Sequence, residues 1–208
     1  MGKKKQKERG LSGLGLIFFL GIMLWGSGPL FAHPHVFVQA GVDIVLGEEG
    51  VEGVWQHWVF DEYFSAWVIE DFDLNKDGQF CEAELKVVYE ETFRNLENHG
   101  FFTRILKNGK TLPITGIEGF AVEIREGHAI YSFYVPMKLP VGSEKESFLI
   151  AVYDEDFYCH LFFPPEKLGV KGKTELWRVE SRPREMPELA YYFGFMNPVA
   201  LEIHVMRP

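Results

Sequence analysis

The sequence predicts a mainly β chain, an Ig-like β-sandwich carrying an inserted EF-hand helix–loop–helix, behind an export signal. Three observations carry this expectation. Apolar and polar residues alternate through much of the chain, as they do in half-buried strands. Between about 61 and 99 that alternation gives way to helical spacing on both sides of an Asp-rich loop. The first 32 residues have the three-part layout of a secretory signal.

The signal comes first. Lys3, Lys4, Lys5, Lys7 and Arg9 form a basic head, Leu11 to Trp25 an apolar middle, and Ala32 the small residue at the cut. The apolar stretch is short for a spanning helix, which needs about 20 residues, so cleavage is preferred over an uncleaved anchor. The mature chain then begins at His33 with no permanent membrane anchor. Removing those five cations and Glu8 from 21 Lys+Arg and 30 Asp+Glu leaves 16 against 29, a net charge of −13. That balance excludes nucleic acid as a partner, since phosphates require a basic face. The expected compartment is periplasmic or otherwise extracytoplasmic. Cys81 and Cys159 could pair in an oxidising space, a point the sequence leaves open.

The body of the sandwich is expected over 33–163. Val36, Val38, Val42 and Ile44 share one parity against Gln39 and Asp43, which reads as a strand, and Val54–Phe60 reads as a second. Phe60, Phe64, Trp67 and Val68 then fall at helical spacing, with Asp61 as N-cap. Leu85, Val88, Tyr89, Phe93 and Leu96 form a second helical set, stopped at Asn98-His99-Gly100. Beyond Phe101 strands return. Asn108-Gly109 marks a type I′ hairpin, Phe120, Val122 and Ile124 alternate with charge, and Gly127 turns the chain into Ile130–Val135. Phe148–Tyr153 is a further strand, and 164–208 is expected to be irregular or to supply final strands. Trp55, Trp58 and Trp67 read as core; Asp61-Glu62 and Asp154-Glu155-Asp156 read as a helix cap and a solvated turn rather than as catalytic carboxylates.

Asp73–Glu84 satisfies every fixed position of the EF-hand pattern. Calcium takes six to eight hard oxygens, and Asp73, Asn75 and Asp77 sit at the alternate positions that aim side-chain oxygens inward. Gly78 permits the sharp turn, Gln79 offers its carbonyl, and Glu84 closes the shell with two oxygens. Cys81 departs from the pattern at the ninth position. With three carboxylates and no second loop, a structural clip of dissociation constant about 10⁻⁴–10⁻³ M is expected rather than a switch.

Cleavage after Ala32 would expose His33-Pro34-His35. A terminal histidine offers its α-amine and imidazole to one divalent transition metal, and Pro34, lacking an amide hydrogen, excludes binding through a deprotonated backbone nitrogen. His35 would be a further ligand, with His57, Asp154 or His160 as the third group; His99, His128 and His204 read as surface or turn residues.

Ala32-His33-Pro34-His35-Val36-Phe37, Trp58-Val59-Phe60-Asp61-Glu62-Tyr63-Phe64-Ser65, the Asp-rich loop and Val152-Tyr153-Asp154 occur in this order. Together they resemble the bacterial domain-of-unknown-function family 1007, from about Ala32 to Cys159. The resemblance implies a periplasmic component near nickel/cobalt-type membrane metal transporters and no established activity. Glu155 replaces a proline frequent in that family, and Cys81 and Cys159 are not family features. The expected role is a metal-binding accessory protein for a nickel, cobalt, zinc or copper transport system, with calcium as a cofactor. The alternative is a calcium-stabilised protein–protein interaction module of the envelope. No nucleophile–base motif or phosphate loop argues for an enzyme.

Overall fold

Alternation along the chain builds two antiparallel-rich sheets, and a computed structural model describes them over residues 34–164 and 168–208. The strands are β1 (Val36–Leu46), β2 (Gly50–Phe60), β3 (Thr103–Lys107), β4 (Lys110–Leu112), β5 (Glu118–Arg125) and β6 (His128–Pro140). They continue with β7 (Glu146–Val152), β8 (Cys159–Phe162), β9 (Leu168–Gly172), β10 (Arg178–Glu185) and β11 (Val199–Met206). One sheet of six strands runs β5-β6-β2-β1-β8, with β9 also on β1; the other, of five, runs β10-β11-β7-β3-β4. The arrangement is mainly β and sandwich-like, and among the described residues two α-helices, α1 (Glu62–Phe72) and α2 (Glu82–Val88), lie between β2 and β3.

The parity of each strand decides its inward face. Val36, Val38, Val42 and Ile44 of β1 and Val54, Trp58 and Phe60 of β2 are buried, while Asp43 and His57 point to the outer side. The second sheet answers with Ile105, Phe148, Ile150, Leu201 and Ile203. Each such side chain, fully buried, contributes roughly 1.5–3 kcal/mol. Of the three tryptophans read as core, only Trp58 is: its ring packs on Phe133, Phe93 and Phe102 at 5.0, 5.8 and 6.0 Å. Trp55 lies on the outer face against Tyr134, and Trp67 is partly exposed beside Phe64 and Phe72.

Asp61 caps α1, its Oδ1 accepting from the N–H groups of Tyr63 and Phe64. Ser65, Val68 and Phe72 face inward. The second helix is shorter than its apolar spacing predicts. α2 ends at Val88 and passes into a π turn, Tyr89–Phe93, and then a 3₁₀ segment, Arg94–Phe102. Thr92 Oγ1 donates to the Val88 carbonyl at 2.7 Å, an i−4 back-bond that competes with the regular ladder. The chain turns at Gly100, where φ is +59°.

The segment after Pro164 completes both sheets with β9, β10 and β11. β9 follows β8 along one edge, the two running parallel to β1 and pairing with Val36–Gln39 (β8) and Val42–Leu46 (β9). β10 is an edge strand, which accommodates Pro183 without an N–H for a neighbour.

Candidate functional site

The Asp-rich loop leaves α1 at Asp73, whose N–H still bonds the Ile69 carbonyl, and enters α2 after Cys81. Lys76 and Gly78 take positive φ, +58° and +77°, and this coils the backbone around its own side chains. Asp73 Oδ1 accepts from Asp77 N–H at 3.2 Å and Oδ2 from Gly78 N–H at 2.9 Å. Asn75 Oδ1 accepts from Asp77 N–H, and Asp77 Oδ1 from Gln79 N–H. From the far end, Glu84 Oε1 takes the amides of Leu74 and Asn75, and Oε2 that of Cys81. The Cys81 amide, then the Cys81 thiol and, less, the Leu74 and Asn75 amides hold the Glu84 carboxyl below its usual range against the opposing effect of burial.

Asp73 and Glu84 are 4% and 5% exposed, whereas Asn75, Asp77 and Gln79 are open to solvent. Among the described residues no cationic side chain forms an ion pair with Asp73, Asp77 or Glu84. Buried carboxylates without a countercharge are costly, and a hard cation suits this all-oxygen donor set. Among the described residues, however, no three His, Cys, Asp or Glu side chains form a ready metal-holding group. The loop holds its oxygens through amides.

The terminal-histidine site divides differently. His33, with the whole expected signal, lies outside the described residues. His35 is exposed; its N–H bonds the Tyr158 carbonyl and its ring meets Tyr158 at 4.9 Å. Phe37 stands opposite His160 in the β1–β8 register, with their rings 5.8 Å apart. Alternation therefore sets His35 and His160 on one face of neighbouring chain segments. The other two candidate third ligands are engaged elsewhere. Asp154 is buried, its oxygens taking the amides of Asp156 and Cys159. His57 faces Gly41, well along β1, and is bonded to Asp43 and Ser132. Of the remaining histidines, His128 bonds the Phe60 carbonyl and His204 lies within β11. Both cysteines are free, Cys81 exposed and Cys159 partly buried.

Two cavities bear on these residues. One of about 280 Å³ opens at the helical end of the core, with Trp58, Phe64, Phe93, Phe102 and Tyr131 as its apolar wall and Asp154 and Tyr158 at its rim. The other, of about 450 Å³, lies on the outer face of the six-stranded sheet and contains Gln39, Asp43, His57, Arg125 and Ser132. Sequence reading missed this second site. Its only signal was polar side chains on the outer parity of four strands, and which strands are neighbours is invisible before the fold is known.

The family described as "Protein of unknown function (DUF1007)" matches residues 18–186. An "Uncharacterized 15.5 kDa protein in trpE 3'region" of Spirochaeta aurantia is 27% identical over 131 residues, covering 63% of this chain and 93% of the relative. An "Uncharacterized protein" of Haemophilus influenzae is 23% identical over 152 residues, 72% of this chain and 68% of the relative. Among the described residues no helix is long and apolar enough to cross a membrane.

Proposed function

The chain belongs to the DUF1007 family, which brings no assigned activity, and from its own residues we propose that it is an exported metal-binding accessory protein of a divalent-metal transport system. The observation that carries this reading is the pair of buried carboxylates, Asp73 and Glu84, gathered by loop amides and, among the described residues, ion-paired to no cationic side chain. We read the helix pair as a single EF-hand packed on an Ig-like sandwich. Asp73, Asn75, Asp77, the Gln79 carbonyl and Glu84 would hold calcium, which supplies the positive charge those carboxylates lack and fixes α1 against α2. The protein would act in the periplasm after cleavage at Ala32 and present a transition metal to a membrane transporter through His33 and His35. His160 is the third ligand best supported, because it shares the face of His35.

The test is calorimetric titration of the mature protein, beginning at His33, beside the same protein with one alanine added in front. Calcium should bind both forms, and Glu84→Gln should abolish that binding. Nickel, cobalt, copper or zinc should bind the native terminus and be weakened by the added residue. If neither form takes a transition metal, the accessory role fails while the calcium clip stands or falls by the Glu84→Gln comparison.

A second reading, a calcium-stabilised interaction module without transition metal, is favoured by an aromatic surface around the same edge. Phe37, Tyr158, Phe162, Phe193 and Phe195 are 48%, 51%, 46%, 87% and 73% exposed. The ring of Phe157 links His160, at 5.5 Å, to Tyr192, at 5.2 Å. Co-purification of one envelope protein, unchanged by chelation of transition metals and lost in Phe193→Ser/Phe195→Ser, would favour this module.

A further inference from the structure

Three adjacent strands of the six-stranded sheet align Asp43 of β1, His57 of β2 and Ser132 of β6 on the outer face. His57 is directly opposite Ser132 in the β2–β6 register and opposite Gly41, two residues from Asp43, in the β1–β2 register. His57 Nδ1 lies 2.8 Å from Ser132 Oγ, and Nε2 lies 3.2 Å from Asp43 Oδ2. The partners decide the tautomer. The Asp43 carboxylate, also paired with Lys171 Nζ at 2.6 Å, is an acceptor, so Nε2 carries the hydrogen. Nδ1 is then the lone pair, and the Ser132 hydroxyl donates to it. This is the nucleophile–base–orienter relationship that activates a serine. The nitrogen facing the serine is Nδ1; either imidazole nitrogen serves as base once the other is held by a carboxylate.

The surroundings fix this constellation and leave it accessible. The His57 ring stacks on Trp55, with planes 9° apart. A Cβ on Gly169 would collide with the Asp43 carboxylate, so the glycine lets β9 pass close while Asp43 keeps its aim. The cavity of about 450 Å³ opens over Ser132 and His57, within the range that holds a small molecule. Val59, Ile130 and Leu168 give it an apolar side, and Gln39 and Arg125 line it with N–H donors. Arg125 commits part of its guanidinium to Glu123, and an arginine carries five N–H groups.

We propose that this cavity is a serine-hydrolase site for small carboxylic esters with short aliphatic acyl groups. Ser132 Oγ bonds to the ester carbonyl carbon while its proton passes to His57 Nδ1. The carbon–oxygen bond to the alcohol breaks, and His57 returns the proton to the departing alkoxide. Water then adds to the acyl-Ser132 carbonyl, giving a proton to His57, and the carboxylic acid leaves as that proton returns to Ser132. Arg125 and Gln39 supply hydrogen bonds for the developing oxyanion. Asp43 is a positioning residue, holding the imidazole tautomer throughout. The site shares no residue with the acidic loop and needs no metal.

The experiment is incubation of the mature protein with a fluorophosphonate probe, followed by peptide mass spectrometry, and p-nitrophenyl acetate hydrolysis on the same sample. The expected result is probe on Ser132 and hydrolysis, both lost in Ser132→Ala and reduced at least about 100-fold in His57→Gln. Asp43→Asn should lower kcat with KM nearly unchanged and alter the pH–rate profile, which a merely structural loss would not do. Absence of labelling and hydrolysis in the folded wild-type protein, or hydrolysis that persists in Ser132→Ala, overturns the proposal.

Discussion

Gln56 of β2 donates its side-chain amide to Thr103 Oγ1 of β3, joining the two sheets through a hydrogen bond inside the core. The link extends at both ends. Trp58 Nε1 donates to Gln56 Oε1 at 2.8 Å, and Thr103 Oγ1 donates to the Phe101 carbonyl at 2.8 Å. The polar side-chain atoms of Trp58, Gln56 and Thr103 are therefore all used where water is absent. Thr103→Val keeps the shape and leaves the Gln56 amide unpaired, which costs about 1–3 kcal/mol. Urea unfolding should show a lower midpoint at an unchanged slope. An unchanged midpoint would mean that the buried amide finds another partner.

Asp61 does two jobs with one carboxylate. Oδ1 caps α1, and Oδ2 accepts from the Phe37 N–H of β1 at 2.7 Å, tying the helix start to the first strand. Asp61→Ala removes both, and the cap alone is worth about 0.5–2 kcal/mol. Hydrogen exchange should quicken at Tyr63 and Phe64 and also at Phe37. Loss of protection confined to the helix would show that the strand contact carries no weight.

These features were unequally legible. Asp61 was readable as a cap because a carboxylate before an apolar helical set has little else to do, and Asn108-Gly109 as a hairpin because both take positive φ, here +52° and +72°. The second helix misled because Phe93, Leu96 and Leu85 keep apolar spacing whether the ladder is α, π or 3₁₀. The change comes from Thr92, which bonds both the Val88 carbonyl and the Tyr131 hydroxyl. Prolines left the tail readable either as irregular or as final strands; it supplies strands, and Pro183 sits on an open edge. Asp43, His57 and Ser132 lie 14 and 75 residues apart, and only strand register brings them together.

The two cysteines should react very differently. Burial foremost, then the charges of Asp154 and Asp61, pushes the Cys159 thiol up to about 12. At pH 8 its thiolate fraction is then on the order of one in ten thousand, and the thiolate is the nucleophile. Iodoacetamide on the native protein should alkylate the exposed Cys81 and leave Cys159 as thiol until denaturant is added. Peptide mass spectrometry distinguishes the two sites. Equal alkylation, or a peptide joined through both sulfurs, would contradict this expectation.

Glu84 makes the acidic loop sensitive to pH in a definite direction. Its folded carboxyl is held below the usual 4.5, chiefly by the Cys81 amide, next by the Cys81 thiol, and less by the Leu74 and Asn75 amides. A group depressed on folding stabilises the native state fully above its unfolded value, and that stability is lost as pH falls through the folded value. Without calcium, the melting temperature should therefore fall as pH drops below about 4.5, through loss of the amide bonds at both ends of the loop. Glu84→Gln removes this titration, so its melting temperature should start lower at pH 7 and show a shallower acid dependence. Added calcium should raise the melting temperature of the wild type at pH 7 and leave the variant unmoved, since binding to the native state alone stabilises it. The rise should vanish in acid as protons take the carboxylates that calcium needs. Parallel acid profiles for both proteins would place the sensitivity in other carboxylates, and an equal calcium response would remove Glu84 from the ion's shell.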